Sequence, residues 1–335
     1  MTKNASLVKL GTRRPITPEE KHLWAEMAQL LLLEALSESS GWSSKDLIFH
    51  GGTALHLAWS SPRFSEDLDF LMNRDLLATM GDTMRGAVER MQRHILRLDA
   101  GLKVELKDKS SSRMGRFTIA LSKVGVIGKA IVKSEFWGVN DEYLAQYKMS
   151  QRVPIMPESM TANGMLVRLH CPLPTATMDS IFVDKLVAMA NRPYTKWRDI
   201  FDLWWISQNR EFVQPDDEVL AQRVRDYASA YRTDPNSDGH EERAVEEASI
   251  EALAWRLRSY ASRINTEEQI LLAEEELRRF LVDYTGKTRT CFSIRDVRDM
   301  VAHAVASTER VASLIDELNE VETAHASQPR MRHRG

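Results

Sequence analysis

Cysteine is nearly absent: Cys171 and Cys291 are the two in 335 residues, far apart and in no metal-ligand spacing. That excludes a disulfide-stapled scaffold and a thiolate zinc site, and fits a reduced, cytoplasmic setting. Long apolar runs are missing as well. The longest leucine run, Leu30 to Leu33, is far too short to span a bilayer, so no membrane partner is expected. Met1 to Lys21 lacks the apolar segment of a secretory leader. Neither sign of charge dominates, since 45 Lys and Arg stand against 48 Asp and Glu for a net charge of −3. Such a balance does not announce a nucleic-acid binder and does not exclude one, since the cations can cluster locally. Internal repeats and low-complexity tracts are lacking, which excludes a solenoid. What the chain does have is core. Its 43% apolar and 28% charged residues describe a soluble protein with one large domain or two ordinary ones.

The hydrophobic period changes along the chain. Thr17-Pro18-Glu19-Glu20 reads as a helix start, with Thr as cap, Pro in the first turn and Glu three residues on. The helix that follows, Glu19 to Ser37, is a packing element with no chemistry of its own. Leu47 to Phe49 reads as a strand, Thr53 to Trp59 as a short helix, and Asp67 to Met72 as a second strand. Next come a helix over Leu76 to Leu98, a strand over Leu102 to Leu106 and a polar loop over Lys107 to Gly115. Strands at Phe117 to Leu121 and Ala130 to Phe136 follow, joined across a Gly125 to Gly128 turn. A further short strand is expected at Leu166 to Leu169, before Pro172 and Pro174 break the pattern. From Met178 onward the period is helical, with a clear break at Pro235 to Gly239. The expected division is a mixed α+β domain over 1–210, a helical domain over 211–327 and a short basic tail over 328–335.

One constellation stands out in the first of these. Two glycines, Gly51 and Gly52, sit between a strand and a helix, where unpaired backbone N–H groups can hold an anion. About fifteen residues on, Asp67 and Asp69 project from one face of a strand while Leu68 and Phe70 project from the other. Paired carboxylates repel one another unless a cation lies between them, and a divalent metal is the usual answer. On an ordinary edge strand the same two residues would be solvated surface. Ile131, Lys133 and Glu135 share a strand face, so Glu135 is either a third acidic ligand or an ion-pair partner of Lys133. Lys185 and Arg192 fall on one side of a helix, either facing a nucleotide or forming a basic outer surface. Asp199 and Asp202, three apart, either orient those cations or cap and solvate their helix. His50 and His56 flank the glycines and read as packed residues. Arg192, Tyr194, Lys196, Trp197 and Arg198 mix charge with aromatic faces, a composition that suits single-stranded RNA ends or a helix junction.

Taken in order, these segments resemble a known family. Gly51-Gly52-Thr53-Ala54-Leu55 followed by Arg63-x-Ser65-x-Asp67-Leu68-Asp69-Phe70 is similar to the signature of the AbiEii/AbiGii-type nucleotidyltransferase toxins. Lys133-Ser134-Glu135-Phe136 resembles their strand motif with a third acidic residue. Asp184-Lys185-Leu186-Val187-Ala188, Arg192 and Arg198-Asp199-Ile200-Phe201-Asp202-Leu203 resemble their two helical motifs. The similarity spans about residues 47 to 206. It implies a polymerase-β-like nucleotidyltransferase fold, a mixed sheet flanked by helices, with a helical C-terminal part. It also implies Mg²⁺ or Mn²⁺ on Asp67, Asp69 and Glu135. The NTP would lie against Gly51, Gly52, Thr53, Arg63, Ser65, Lys185 and Arg192, with Asp199 and Asp202 completing the catalytic set. The expected function is that of a toxin adding nucleotides to the 3′ end of tRNA and held in check by a cognate antitoxin. Modification of a protein or small-molecule hydroxyl is the alternative within enzymes. A nucleotide-binding inhibitor without turnover is the alternative outside them.

Overall fold

The computed structural model describes residues 13–39, 42–112, 114–157, 160–161, 169–192, 194–230, 250–280 and 293–326. The tail at 328–335, the break at Pro235 to Gly239 and residues 166–168 of the expected strand lie outside them.

Helix α1 (Pro18–Ser39) starts on a reciprocal cap. Thr17 Oγ1 accepts from the Glu20 amide at 3.2 Å, and Glu20 Oε2 accepts from the Thr17 amide at 3.1 Å. Two N–H groups that the helix leaves without partners are thereby satisfied. Leu30 to Leu33 are all buried, as are Glu26, Gln29 and Glu34 of the same helix, so it is covered on every side and runs through the interior. Gln29 Nε2 donates to the carbonyls of Ser65 at 2.7 Å and Glu66 at 3.0 Å, fixing the segment that enters the next strand but one.

The strands, in chain order, are β1 (Arg14–Pro15), β2 (Leu47–His50), β3 (Asp67–Asn73), β4 (Leu102–Asp108), β5 (Met114–Lys123), β6 (Val126–Ile127), β7 (Ala130–Val139), β8 (Met149–Arg152) and β9 (Leu173–Ala176). β1 and β6 form a small parallel pair, and the other seven form one mixed sheet in the order β4-β5-β7-β3-β2-β9-β8. β3 runs parallel to β7 and β2 parallel to β9, while the remaining pairs are antiparallel. Four phenylalanines lock the centre of this sheet from its core side. Phe49 lies opposite Phe70, and Phe70 opposite Phe136, with ring centroids 5.2 and 4.6 Å apart. Phe117 meets Phe136 edge-on at 5.8 Å. A one-residue slip would turn every strand inside out, so this ladder of rings fixes what the opposite face presents.

The helices are α2 (Gly51–Trp59), α3 (Leu77–Leu98), α4 (Asp141–Ala145), α5 (Met178–Asn191), α6 (Trp197–Ser207), α7 (Asp217–Ala230), α8 (Ile250–Ile264), α9 (Glu267–Phe280) and α10 (Ile294–Ala326). α1 and α3 cover the core side of β4, β5 and β7. α8 packs on α5 and α10, and α10 also packs on α6, so the apolar core continues from the sheet into the C-terminal helices.

Several boundaries differ from the sequence reading. α2 begins at Gly51 and not at Thr53, because Gly51 adopts φ +79° and turns the chain into the helix directly off β2. The polar loop shrinks to a few residues, since β4 runs on to Asp108 and β5 starts at Met114. Leu173-Pro174-Thr175-Ala176 is a strand in spite of its proline. β9 joins β2 at one register position, Phe49 opposite Thr175, so a residue lacking an N–H beside it interrupts little of the ladder.

Candidate active site

The register of four strands sets out a row of side chains on the face away from the phenylalanines. His50 lies opposite Asp69, Asp69 opposite Glu135, and Glu135 opposite Arg116. Asp67 lies two residues back on the same face, opposite Lys133, while Leu68 and Phe70 are buried on the core side. Asp67, Asp69 and Glu135 thus belong to one patch drawn from neighbouring strands. Glu135 leans toward Arg116, with Nε 3.6 Å from its Oε1, and Lys133 leans toward Asp67 at 3.9 Å. Burial, reinforced by Asp67, raises the Asp69 carboxyl above its ordinary range in spite of the opposing pull of His50 and Lys185. Burial and the adjacent Asp69 raise Glu135 in the same way. The patch holds more negative charge than its surroundings comfortably accept.

α2 starts beside this patch. A Cβ placed on Gly51 would stand 2.7 Å from Asp69 Oδ2, and one on Gly52 would collide with the Arg63 guanidinium. Glycine is needed at both positions, and the opened helix end lies against the carboxylates. Thr53 is fully buried and its hydroxyl donates to the Asp67 carbonyl, fastening α2 to β3. Ser65 places its hydroxyl beside Gly52, 3.0 Å from where a Cβ would stand. Arg63 is 2% exposed. It forms a two-pronged pair with Asp202, Nε to Oδ1 and Nη2 to Oδ2 both at 2.7 Å, and Nη1 donates to the Phe64 carbonyl at 3.0 Å. Three of its five donors are therefore spent inside the protein.

The two helical segments meet through the same ion cluster. Lys185 on α5 donates to Asp199 Oδ1 at 2.7 Å and lies 2.6 Å from Asp202 Oδ2, both on α6. Arg192 takes the other oxygen of Asp199. Burial works against the charge of Lys185, yet Asp199 and Asp202 outweigh it and hold the ammonium protonated. Burial is likewise overcome at Asp199, where Lys185 and Arg192 keep the carboxyl well below the usual range.

Residues to which the pattern assigns no catalytic, metal or nucleotide-binding role also gather here. His50 Nδ1 lies 3.4 Å from Asp184 Oδ2, while Tyr147 donates to Asp184 Oδ1 at 2.5 Å. Arg223 reaches that oxygen at 3.2 Å from α7 and stacks over the Tyr147 ring at 4.3 Å. Arg198 lies within electrostatic reach of Asp69. Counting back one residue from Gly51 would have placed His50 on the carboxylate face. Nothing local connects Arg223 to it. His56 is indeed packed, its Nδ1 2.8 Å from the Ser61 carbonyl and its Nε2 3.3 Å from buried Glu26.

A family model described as the nucleotidyl transferase AbiEii toxin of type IV toxin–antitoxin systems matches residues 32–288, more than half of the chain. The chain belongs to this family. It is accordingly a nucleotidyltransferase of the toxin type, and membership implies an NTP substrate and an antitoxin partner. MenT4, a nucleotidyltransferase toxin of Mycobacterium tuberculosis H37Rv, has a similar fold. The two share 17% identity at a TM-score of 0.52, covering 92% of this chain and 94% of that one. The crystal structure of JHP933 from Helicobacter pylori aligns over 92% of this chain and 100% of its own, with 15% identity and a TM-score of 0.45. No curated protein matches the sequence. No described helix of the toxin is long and apolar enough to cross a membrane.

The donor set of this AbiEii-family toxin suits a hard divalent cation. Asp67, Asp69 and Glu135 supply only oxygen, and two of the three carboxyls are raised by burial together with mutual repulsion, which a cation would relieve. Among the described residues no three His, Cys, Asp or Glu side chains close into a ligand cage, so these carboxylates stand in a row with Lys133 and Arg116 as nearby counter-charges.

Proposed function

We propose that the toxin transfers a nucleotidyl group from an NTP to the 3′-hydroxyl of an RNA, the 3′ end of tRNA being the acceptor that stops translation. The single observation that carries this reading is the abutment of the Asp69–Glu135 row on the Gly51-Gly52 helix end. The acceptor oxygen bonds to the α-phosphorus, the bond from that phosphorus to the β-phosphate bridge breaks, and pyrophosphate departs. Glu135, whose carboxyl is raised by burial and by Asp69, is the group suited to receive the hydroxyl proton. The N–H groups at Gly51 and Gly52, with the Ser65 hydroxyl beside them, face the β- and γ-phosphates. Thr53 acts by holding that helix end to β3, and Arg63 by bracing the turn beneath it. Lys185 has three donors and two are committed to Asp199 and Asp202, which leaves one N–H for a phosphate oxygen. Arg192 lies next to it through Asp199. Asp67, Asp69 and Glu135 would hold Mg²⁺ or Mn²⁺, which when bound would neutralise phosphate charge and activate the attacking oxygen.

The experiment is incubation of the purified toxin, Mg²⁺ and total RNA with each labelled NTP separately, read by sequencing of RNA 3′ ends. Label should appear on tRNA 3′ ends, and Asp67→Ala should abolish it. Label on a protein and never on RNA would overturn the acceptor assignment.

A further inference from the structure

Among the described residues, no helix covers the wing of the sheet beyond β3 on the carboxylate face. α1 and α3 pack on the other side of β4, β5 and β7, where Phe117, Ile119, Leu121 and Val132 are buried. The open side is laid out by register. Lys107, Thr118, Lys133 and Asp67 form one cross-strand row, Glu105, Ala120 and Ile131 the next, and Lys103 and Ser122 a third. Lys103, Glu105 and Lys107 on β4 are exposed, as are Ile131 and Lys133 on β7. Between these two ridges of long side chains β5 contributes only Thr118, Ala120 and Ser122. The face is therefore a shallow trough floored by β5, and its upper end is Arg116, 3.6 Å from Glu135. Six residues of strand separate Ser122 from Arg116, so the trough is about 20 Å long.

Its charge is one-sided. Glu105 is neutralised by Lys129 at 2.5 Å, and Lys133 and Arg116 lean toward Asp67 and Glu135 at 3.9 and 3.6 Å, so the surplus of cations rests on Lys103 and Lys107. That local excess of cations sits in a chain whose net charge is −3. The floor of small side chains with Ile131 beside it offers a flat surface to bases, while the lysines on both ridges suit a backbone of phosphates.

We propose that this trough docks the single-stranded 3′ segment of the RNA acceptor. Its phosphates run along Lys103, Lys107 and Lys133, and its terminal nucleoside reaches Glu135 and Asp69. The assignment rests on the acceptor being RNA. It is tested with full-length toxin and deacylated tRNA by fluorescence anisotropy over a salt series, without NTP. The double variant Lys103→Ala/Lys107→Ala should weaken binding about 25-fold at 0.1 M salt and flatten the slope of log K against log salt by about 1.4. Lys21→Ala/Lys45→Ala, at exposed positions elsewhere, should bind as the wild type does. Ala120→Phe, which fills the floor without touching charge, should weaken binding and leave the slope unaltered. A wild type that binds RNA alongside a Lys103→Ala/Lys107→Ala variant with the same affinity and slope would overturn the trough and leave the RNA reading standing. If that variant also escaped its antitoxin, the face would be a protein-docking surface instead. A wild type that binds no RNA would sink the acceptor reading and the trough with it.

Discussion

Asp202→Asn probes the ion cluster under the site. The Asp202 carboxylate is 0% exposed, and both of its oxygens are engaged by Arg63 at 2.7 Å, with Lys185 at 2.6 Å from Oδ2. Asparagine keeps the shape, removes the charge and turns an N–H₂ toward groups that are themselves donors. Arg63, Lys185 and Arg192 are then left with Asp199 alone. Breaking a buried pair by removing one partner costs about 3–5 kcal/mol. That is a large share of a domain stability of about 5–15 kcal/mol, and it corresponds to a fall in melting temperature on the order of 10 °C. Urea unfolding and a thermal melt at pH 7 measure it, with Arg63→Met as the second corner of a double-mutant cycle. The double variant should lose less than the sum of the two singles, because no charge is left stranded. A loss below about 1 kcal/mol, the range of exposed pairs, would refute this reasoning. It would mean that Arg63 is solvated and free to swing onto a triphosphate, in which case Arg63→Met would weaken NTP binding without touching stability.

Asp69→Asn should move stability the other way. Burial and Asp67 raise the Asp69 carboxyl, so its contribution to stability is present below the unfolded carboxylate pKa and is lost as pH rises through the folded one. At pH 7 the neutral variant should therefore melt higher than the wild type while transferring no label, and a lower melting temperature would count against a desolvated carboxylate. Gly51→Ala forces a Cβ to 2.7 Å from Asp69 Oδ2 at φ +79°, a backbone region costing a non-glycine residue about 1–2 kcal/mol. Label transfer should collapse, and an initial rate like that of the wild type would show the helix end is not held against the carboxylate. Thr17→Ala removes one half of the α1 cap and should cost about 1 kcal/mol in chemical denaturation with transfer unchanged.

The unit from β2 through α2 to β3 was legible because its signals are local. Alternation separates Asp67 and Asp69 from Leu68 and Phe70, and the glycines mark the turn. The Thr17 cap was legible for the same reason. Glu135 was placed on the right face of its strand, but its pairing with Asp69 depends on β7 lying parallel to β3, a contact between distant segments that no window of sequence contains. Arg63 reads as a loop cation because its partner, Asp202, is 139 residues away and its burial exists only once α6 is in place. The strand at Leu173 to Ala176 was hidden by Pro174, whose penalty matters only where a full ladder must form. His50 falls between these cases: its neighbour Gly51 was recognised, yet its companions Asp184, Tyr147 and Arg223 come from three later segments.

The ladder of Phe49, Phe70, Phe136 and Phe117 has no access to any substrate, yet it dictates where the acids stand. Survivors from a growth screen against this toxin should accordingly carry changes at two alternating sets of positions. One set strips oxygen from the reacting surface. The other leaves every polar group intact and silences the enzyme from behind, by letting the strands settle a fraction out of step.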